Sequence, residues 1–291
     1  MTIAIRNPRP SRPPRGFTLV EMLAAVAVLI ILIFMVTSLM RSASVTISNS
    51  NDHLNADDQA RLVLDRMQMD FARMLKRNDV YFQFTRDSAG NSKFTFYSET
   101  PGFNASGSTA TTQSNLSLVT YQVDPTTYRL ERIGQGYQWT DMSFSTNAPT
   151  LAVPASDTHV LSASVFRMEV AFLMRKDDSD FLITSTAPTP GSQAFQNFWA
   201  VMVAIAVIDP NSQKLVNGSS YPSMIEALPA FSGAQTIALN SSSGPDASEM
   251  DPILSVWHAA VDNASGFAQT TGIPLQAAQQ VRIYQRIFYL Q

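Results

Sequence analysis

A long apolar segment near the N-terminus constrains this chain more than any other feature. Residues 17–40 span 24 positions, about 36 Å as an α-helix, which exceeds the roughly 30 Å hydrocarbon core of a bilayer. Glu21 is the one ionisable side chain in this span. Because a carboxylate at the centre of a membrane helix costs about 2.5–3.5 kcal/mol, such a group is usually retained for a partner. The segment is predicted to be a membrane-spanning helix.

The residues before this segment are basic and rich in proline. Residues 1–16 contain Arg6, Arg9, Arg12 and Arg15 and no acidic residue, so the positive-inside rule predicts that they stay in the cytoplasm. Prolines at positions 8, 10, 13 and 14 oppose helix formation. An extended leader that is open to a protease is expected.

The junction Arg15-Gly16-Phe17-Thr18-Leu19-Val20-Glu21 resembles the class III signal of type IV pilins and type II secretion pseudopilins. The resemblance implies that a prepilin peptidase cuts after Gly16 and that the new N-terminal Phe17 is methylated. Arg12 and Arg15 would supply leader charges, and Glu21 would act in assembly. The apolar helix would then become the packing spine of a filament.

Three other interpretations compete with this one. An ordinary secretory signal peptide would be cut near Ser42-Ala43-Ser44, although its apolar region would be long and Glu21 would have no purpose there. A signal anchor that is never cut would let Glu21 reach the lipid headgroups. A chance match of a short motif is the third. Cut position, carboxylate spacing and helix length together favour the prepilin-type signal.

Composition restricts the remaining function classes. The chain has 291 residues and no cysteine, which allows one large or two modest domains and excludes disulfides and thiol chemistry. Without the leader, 16 basic residues face 23 acidic ones, which argues against a nucleic-acid partner.

Helical periodicity returns after the polar residues 41–52. Asn55 is a predicted N-cap, and an apolar stripe follows at three- and four-residue steps: Leu64, Met67, Phe71, Met74 and Leu75.

Beyond residue 78 the pattern changes to alternation and predicts strands at 80–85, 93–97, 116–123, 128–133, 165–174 and 198–208. Residues 100–115 and 217–250 are predicted loops, and 275–290 an amphipathic helix or a mixed helix–strand terminus. The predicted fold class is α+β, with a long N-terminal helix packed on antiparallel sheet and long irregular loops. The predicted organisation is a cleaved leader (1–16), a transmembrane helix (17–40), a helix continuing into the head (41–78) and a globular head (79–291).

Two finer resemblances rest on short motifs. The minor pseudopilin J pattern is similar to three segments of this chain: Leu64-Asp65-Arg66-Met67-Gln68-Met69-Asp70-Phe71, the predicted strand 118–123 and Tyr128-Arg129-Leu130-Glu131-Arg132. The closing residues 281–290 resemble the end of the verrucomicrobial cassette protein C group, a prepilin-like family.

Residues suited to catalysis or metal binding are sparse. The three histidines, His53, His159 and His258, have no zinc spacing, and no nucleophile or phosphate-binding motif occurs. Asp177, Asp178 and Asp180 are weak calcium candidates, because they lack EF-hand spacing and a solvated turn explains them better. No enzyme activity and no cofactor are predicted.

These observations predict a minor pseudopilin-type structural subunit of a type II secretion or type IV pilus-like filament. It would be a single-pass bacterial inner-membrane protein with an extracytoplasmic head. The resemblance implies as partners the prepilin peptidase, an inner-membrane assembly platform and other pilin-like subunits, and the apolar helix implies membrane lipid. The alternatives are a membrane-anchored extracytoplasmic binding protein and, behind it, an anchored hydrolase.

Processing is the first testable consequence. Intact mass of protein from membranes should correspond to a chain that begins at Phe17 and carries one added methyl group. Gly16→Val should keep the leader, because a β-branched side chain blocks close approach of the peptidase. An N-terminus at Val45 would instead identify an ordinary signal peptide.

Overall fold

The computed structural model describes residues 18–104, 113–137, 158–176, 180–238 and 251–290. Its helices are α1 (Leu19–Phe71), α2 (Gln193–Gln196), α3 (Pro210–Gln213), α4 (Tyr221–Glu226), α5 (Pro252–Asp262), α6 (Ala264–Thr271) and α7 (Leu275–Ala278), with a 3-10 turn at Gly218–Ser220. Its strands are β1 (Phe82–Arg86), β2 (Ser92–Ser98), β3 (Gly102–Asn104), β4 (Gln113–Ser114), β5 (Leu116–Val123), β6 (Leu130–Tyr137), β7 (Thr158–Ser162), β8 (Val165–Arg175), β9 (Asp180–Thr184), β10 (Phe198–Ile208), β11 (Ala234–Ala238) and β12 (Val281–Tyr289). The chain divides into two compact units, with the boundary between Asn51 and Asp52.

Helix α1 is continuous over 53 residues. The predicted N-cap at Asn55 is wrong, because this residue lies inside α1. In the polar stretch, Thr46 Oγ1 donates back to the Ser42 carbonyl at 3.0 Å, so this side chain does not interrupt the helix. The helix ends at Phe71 rather than at 78.

The first part of α1 is long and apolar enough to cross a membrane. It contains an 18-residue window with a mean hydropathy of 3.0, none of which is buried. Large apolar side chains such as Leu19 and Phe34 are 78% and 75% exposed. This segment therefore presents apolar surface that nothing in its own unit covers.

The second unit is built on two sheets. The first has seven strands in the order β1-β2-β5-β6-β3-β4, with β7 also paired to β6. Its pairs are antiparallel except β3–β6, which is parallel. The second has the order β11-β9-β8-β10-β12 and is antiparallel throughout. The predicted α+β class, a long helix followed by antiparallel sheets, is confirmed.

The second sheet is covered on both faces, which explains the nearly continuous apolar sequence of β10. Val201, Val203 and Ile205 belong to one core cluster, together with residues of α1 and the first sheet. The intervening Met202 and Ala204 belong to another, together with residues of α4–α7. Successive side chains of one strand thus enter two different cores.

The C-terminal third of α1 closes the first core. Its buried stripe consists of Ala56, Ala60, Val63, Leu64, Met67 and Phe71. The predicted packing of Leu64, Met67 and Phe71 is confirmed, whereas Met74 and Leu75 follow the end of the helix and are only partly buried.

Most predicted strands are present, with shifted ends, and the chain terminus is the mixed helix–strand form, α7 then β12. Two predicted loops are wrong in part. Residues 100–115 contain β3 and β4, and residues 217–250 contain α4 and β11. The three strands are short and pair with other strands, and α4 packs in the core that covers the second sheet. Tertiary contacts rather than local periodicity therefore define these elements. Residues 105–112 and 239–250 lie outside the described part of the chain.

Phe71 is the main contact between α1 and the aromatic core. Its ring lies 4.9 Å from the rings of both Phe96 and Phe288, measured between centroids. In a fragment that begins at Asp52, Phe71→Ala should lower the free energy of unfolding by about 3–5 kcal/mol, because it leaves a cavity among packed rings. Urea denaturation measures this change. A loss below about 1 kcal/mol would mean that the helix does not stabilise the sheets.

Candidate functional site

The predicted signal residues lie at the edge of the described chain. Arg12, Arg15, Gly16 and Phe17 fall outside the described residues, as do Asp177 and Asp178. Glu21 lies in the first turn of α1 and is exposed. The first candidate site is therefore the start of α1 with its single carboxylate.

Thr18 and Glu21 form a reciprocal pair of bonds at the start of α1. The Glu21 amide donates to Thr18 Oγ1 at 3.3 Å, and the Thr18 amide donates to Glu21 Oε2 at 3.5 Å. This arrangement is a capping box, in which each side chain satisfies a backbone N–H that the helix leaves free. The hydrogen bond to Glu21 Oε2 is long, and the second carboxylate oxygen can accept a hydrogen bond from a cationic group of another molecule.

A second group of charges lies where α1 meets the first sheet. Asp70, in the last turn of α1, is fully buried. Arg132 on β6 donates to both of its oxygens, from Nε at 2.6 Å and from Nη2 at 3.2 Å. The Tyr121 hydroxyl on β5 donates to the same carboxylate. Arg66, one helical turn earlier, lies 3.5 Å away.

Burial and the Asp70 charge perturb the groups around this carboxylate. Burial raises the pKa of Tyr121 well above its usual range, and the negative charge of Asp70 adds to the effect. Burial opposes the charged form of Arg132, but the bonds to Asp70 outweigh it and raise its pKa. The cluster is therefore a stable ion pair with a protonated phenol.

The Asp70 cluster joins two short motifs that the sequence analysis related to the minor pseudopilin J pattern. Asp70 belongs to the helical motif and Arg132 ends the strand motif, 62 residues later. Sequence reasoning quoted both residues but did not pair them, because nothing in their spacing indicates contact.

A third group of charges is buried between the two sheets. Glu169 on β8 accepts from Arg167 Nη2 at 3.1 Å and also pairs with Arg86 on β1. Arg167 also donates to the carbonyl of Gly90 at 2.7 Å and to that of Leu228 at 3.1 Å. Burial raises the pKa of Glu169 and lowers that of Arg167. These contacts fix the β1–β2 hairpin to the second sheet, and sequence reasoning missed them.

A further set of polar contacts joins α1 to the edge strand β12. Arg286 pairs with Asp65 at 2.6 Å, Tyr284 donates to Asp57, and Arg282 contacts the His53 ring at 2.9 Å. Every second residue of β12 thus faces the helix.

The described residues hold no group of three or more His, Cys, Asp or Glu side chains placed to bind a metal ion. Asp180, the one calcium candidate in the described chain, lies 3.8 Å from the Lys176 ammonium. His53 contacts Arg282, His159 lies on β7 and His258 lies on α5. The structure does not bring the three histidines together.

The sequence match to a known family lies in the N-terminal segment. The family model for the prokaryotic N-terminal methylation motif matches residues 12–37. No curated protein matches the chain. Among solved structures, a type IV-like pilin from Thermus thermophilus is 12% identical with a TM-score of 0.33, and the alignment covers 81% of this chain and 95% of that one.

The chain therefore carries a prepilin-type methylation signal, as predicted. Behind this signal the chain places a long apolar helix and then antiparallel sheets. The resemblances to pseudopilin J and to cassette protein C stay predictions, as do the roles of Gly16, Phe17 and Glu21.

Tyr121 provides a test of the buried cluster. Because its pKa is raised in the folded state, it keeps its proton where the unfolded chain loses it, above about pH 10. The free energy of unfolding should therefore fall by up to about 1.4 kcal/mol per pH unit there. Tyr121→Phe should make the free energy of unfolding fall less steeply with pH, as measured by urea denaturation at several alkaline pH values. Tyr289→Phe, at an exposed ring, is the matched control. Equal slopes in both variants would contradict the buried phenol.

Proposed function

We propose that this chain is a minor pseudopilin-type subunit of a type II secretion or type IV pilus-like filament. The prepilin-type signal at residues 12–37 supports processing by a prepilin peptidase. Cleavage would follow Gly16, and the new N-terminal Phe17 would be methylated. Arg12 and Arg15 would hold the leader in the cytoplasm.

One observation carries the proposal: Glu21 is exposed in a helix whose neighbouring residues are apolar and equally exposed. In a bilayer such a carboxylate is costly unless another molecule neutralises it. The positive α-amine that cleavage would create at Phe17 of a neighbouring subunit would supply the neutralising charge. Each buried charge would then offset the other.

The capping box refines this mechanism. The Thr18 amide donates to Glu21 across 3.5 Å, a weak bond that a charged amine can replace or share. The cap would hold Glu21 in place while the subunit is a monomer in the membrane. On assembly, the amine pair would fix the axial register, and the apolar faces of residues 19–36 would supply the contact area.

The proposed location is the bacterial inner membrane, with the unit from Asp52 onwards on the extracytoplasmic side. Partners would be the peptidase, an assembly platform, other pilin-like subunits and lipid. A minor role suits the size of this unit, which is large for the repeating element of a tight helical lattice. The prepilin-type signal and the membrane-length helix support a structural role, and we propose that role without catalysis.

Two substitutions at Glu21 separate charge pairing from helix capping. Glu21→Val removes both functions, whereas Glu21→Gln keeps a side chain that completes the capping box and loses only the charge. Both variants should be cleaved and inserted at least as well as the parent, since neither carries a carboxylate into lipid. Both should lose assembly, measured as crosslinked complexes or filaments in membranes, because the partner amine is left unpaired.

Thr37→Val is the matched control, because it removes a polar group from the same span without changing charge. Thr37 Oγ1 donates within its own helix, to the Ile33 carbonyl at 2.7 Å, so its loss should leave assembly intact. If Glu21→Gln assembles like the parent while Glu21→Val does not, the carboxylate acts as a cap and the charge-pair mechanism is wrong.

A further inference from the structure

A basic pocket lies beside the Asp70 cluster, in the unit that begins at Asp52. Its volume is about 340 Å³, and it is lined by Arg66, Arg132, His159, Leu161, Gly102 and Gly134 together with a proline. We call it the basic pocket. It does not involve Glu21 or the membrane segment, so what it binds is independent of the proposed filament function.

The charges around the basic pocket do not balance. Among the described residues, Asp70 is the acidic partner of both guanidinium groups. One carboxylate thus faces two arginines, and His159 adds a third basic group as the cross-strand neighbour of Arg132. The excess positive charge makes the pocket suited to an anion.

Arg132 is positioned to donate into the basic pocket. Its side chain is only 7% exposed, and its Nε and Nη2 are used by Asp70 and Thr100. None of the described residues accepts a hydrogen bond from Nη1. A guanidinium already fixed by a buried carboxylate pays little entropy to bind a second oxyanion.

Gly134 makes room for this arrangement. It lies two residues after Arg132 on β6 and therefore on the same face of the sheet. A Cβ at Gly134 would lie 2.5 Å from Arg132 Nη1, so any side chain there would displace the donor. The absence of a side chain keeps Nη1 available at the pocket.

An apolar groove adjoins the basic pocket along α1. It has a volume of about 490 Å³ and shares Arg66 and Leu161 with the pocket. Leu62 and Met69 line it and are 55% and 51% exposed, and Asp58, Arg61 and Asp65 line it as well. Asp65 is paired with Arg286 at 2.6 Å. Both side chains are on the surface of a helix whose opposite face is in the core. The surface thus offers apolar contact next to a site for negative charge.

We propose that the basic pocket and its groove bind a carboxylate that carries an aliphatic group. The carboxylate would accept from Arg132 Nη1 and Arg66, with His159 at the rim, and the aliphatic group would cover Leu62 and Met69. A planar carboxylate matches the two-donor geometry of a guanidinium. The C-terminal residue of a polypeptide and a free aliphatic acid both present this chemistry.

Binding can be measured on the full chain in neutral detergent with N-acetyl-leucine as the probe. Titration is followed by calorimetry and by the imidazole proton signals of His159, assigned with His159→Gln. N-acetyl-leucine should bind and shift the His159 signals, whereas N-acetyl-leucinamide, which lacks only the charge, should not. Acetate should bind more weakly because it cannot cover the groove. If hexanoate binds more tightly than N-acetyl-leucine, the ligand is a free aliphatic acid. If N-acetyl-leucine binds more tightly than hexanoate, the ligand is the C-terminus of a polypeptide.

Arg66→Gln should weaken the binding of N-acetyl-leucine about tenfold, the usual cost of one charge-assisted hydrogen bond. Arg73→Gln, the same change at an exposed residue just beyond α1, is the matched control and should bind like the parent. Gly134→Ala should also weaken binding, because its Cβ displaces Nη1. Three results would each overturn the proposal. They are equal binding of N-acetyl-leucine and N-acetyl-leucinamide, equal effects of Arg66→Gln and Arg73→Gln on binding, and tighter binding of inorganic phosphate than of N-acetyl-leucine.

Discussion

The ion pair between Asp70 and Arg132 is the contact that fixes α1 against the first sheet. A fully buried carboxylate without a partner costs several kcal/mol, so α1 can pack here only where Arg132 and Tyr121 meet it. Phe71, the next residue, enters the aromatic core at the same point. Polar pairing therefore selects the position of the helix, while the rings of the core supply most of the stabilisation.

The second sheet depends on this placement because one of its faces shares the core with α1. Strands β8 and β10 are buried on both faces, which requires a cover on each side. Residues of α1 and the first sheet provide one cover, and helices α4–α7 provide the other. The buried Arg167–Glu169 pair then fixes the β1–β2 hairpin to β8. Both buried charge networks join elements that are distant in sequence.

The same Asp70 cluster links stability to the proposed ligand site. Arg132 satisfies Asp70 with two of its nitrogen atoms and leaves the third at the basic pocket. A residue that holds the fold together is therefore already oriented as a binding group. Arg66 contributes from α1, and its side chain is one-third exposed, so it can bind a ligand without disturbing the core.

Periodicity predicted the elements whose burial is strongest. The apolar run predicted the start of α1, and the alternating or continuous apolar segments predicted β2, β5, β8 and β10. It missed β3, β4, β7, β9 and β11, each of five residues or fewer, and it was wrong at Asn55, where the continuous helix overrides a local capping preference. Short strands are defined by the strands they pair with, so a window of local sequence carries little information about them.

The sequence by itself determined the prepilin-type signal, the membrane-length helix with Glu21 and the α+β class, because each depends on residues that are close together in the chain. The tertiary structure alone decided that Asp70 pairs with Arg132, that Arg167 pairs with Glu169 beneath the hairpin, and that Arg66, Arg132 and His159 surround one pocket. Charges separated by tens of residues become neighbours only when the sheets align. Their spacing in sequence therefore contains no signal of the contact.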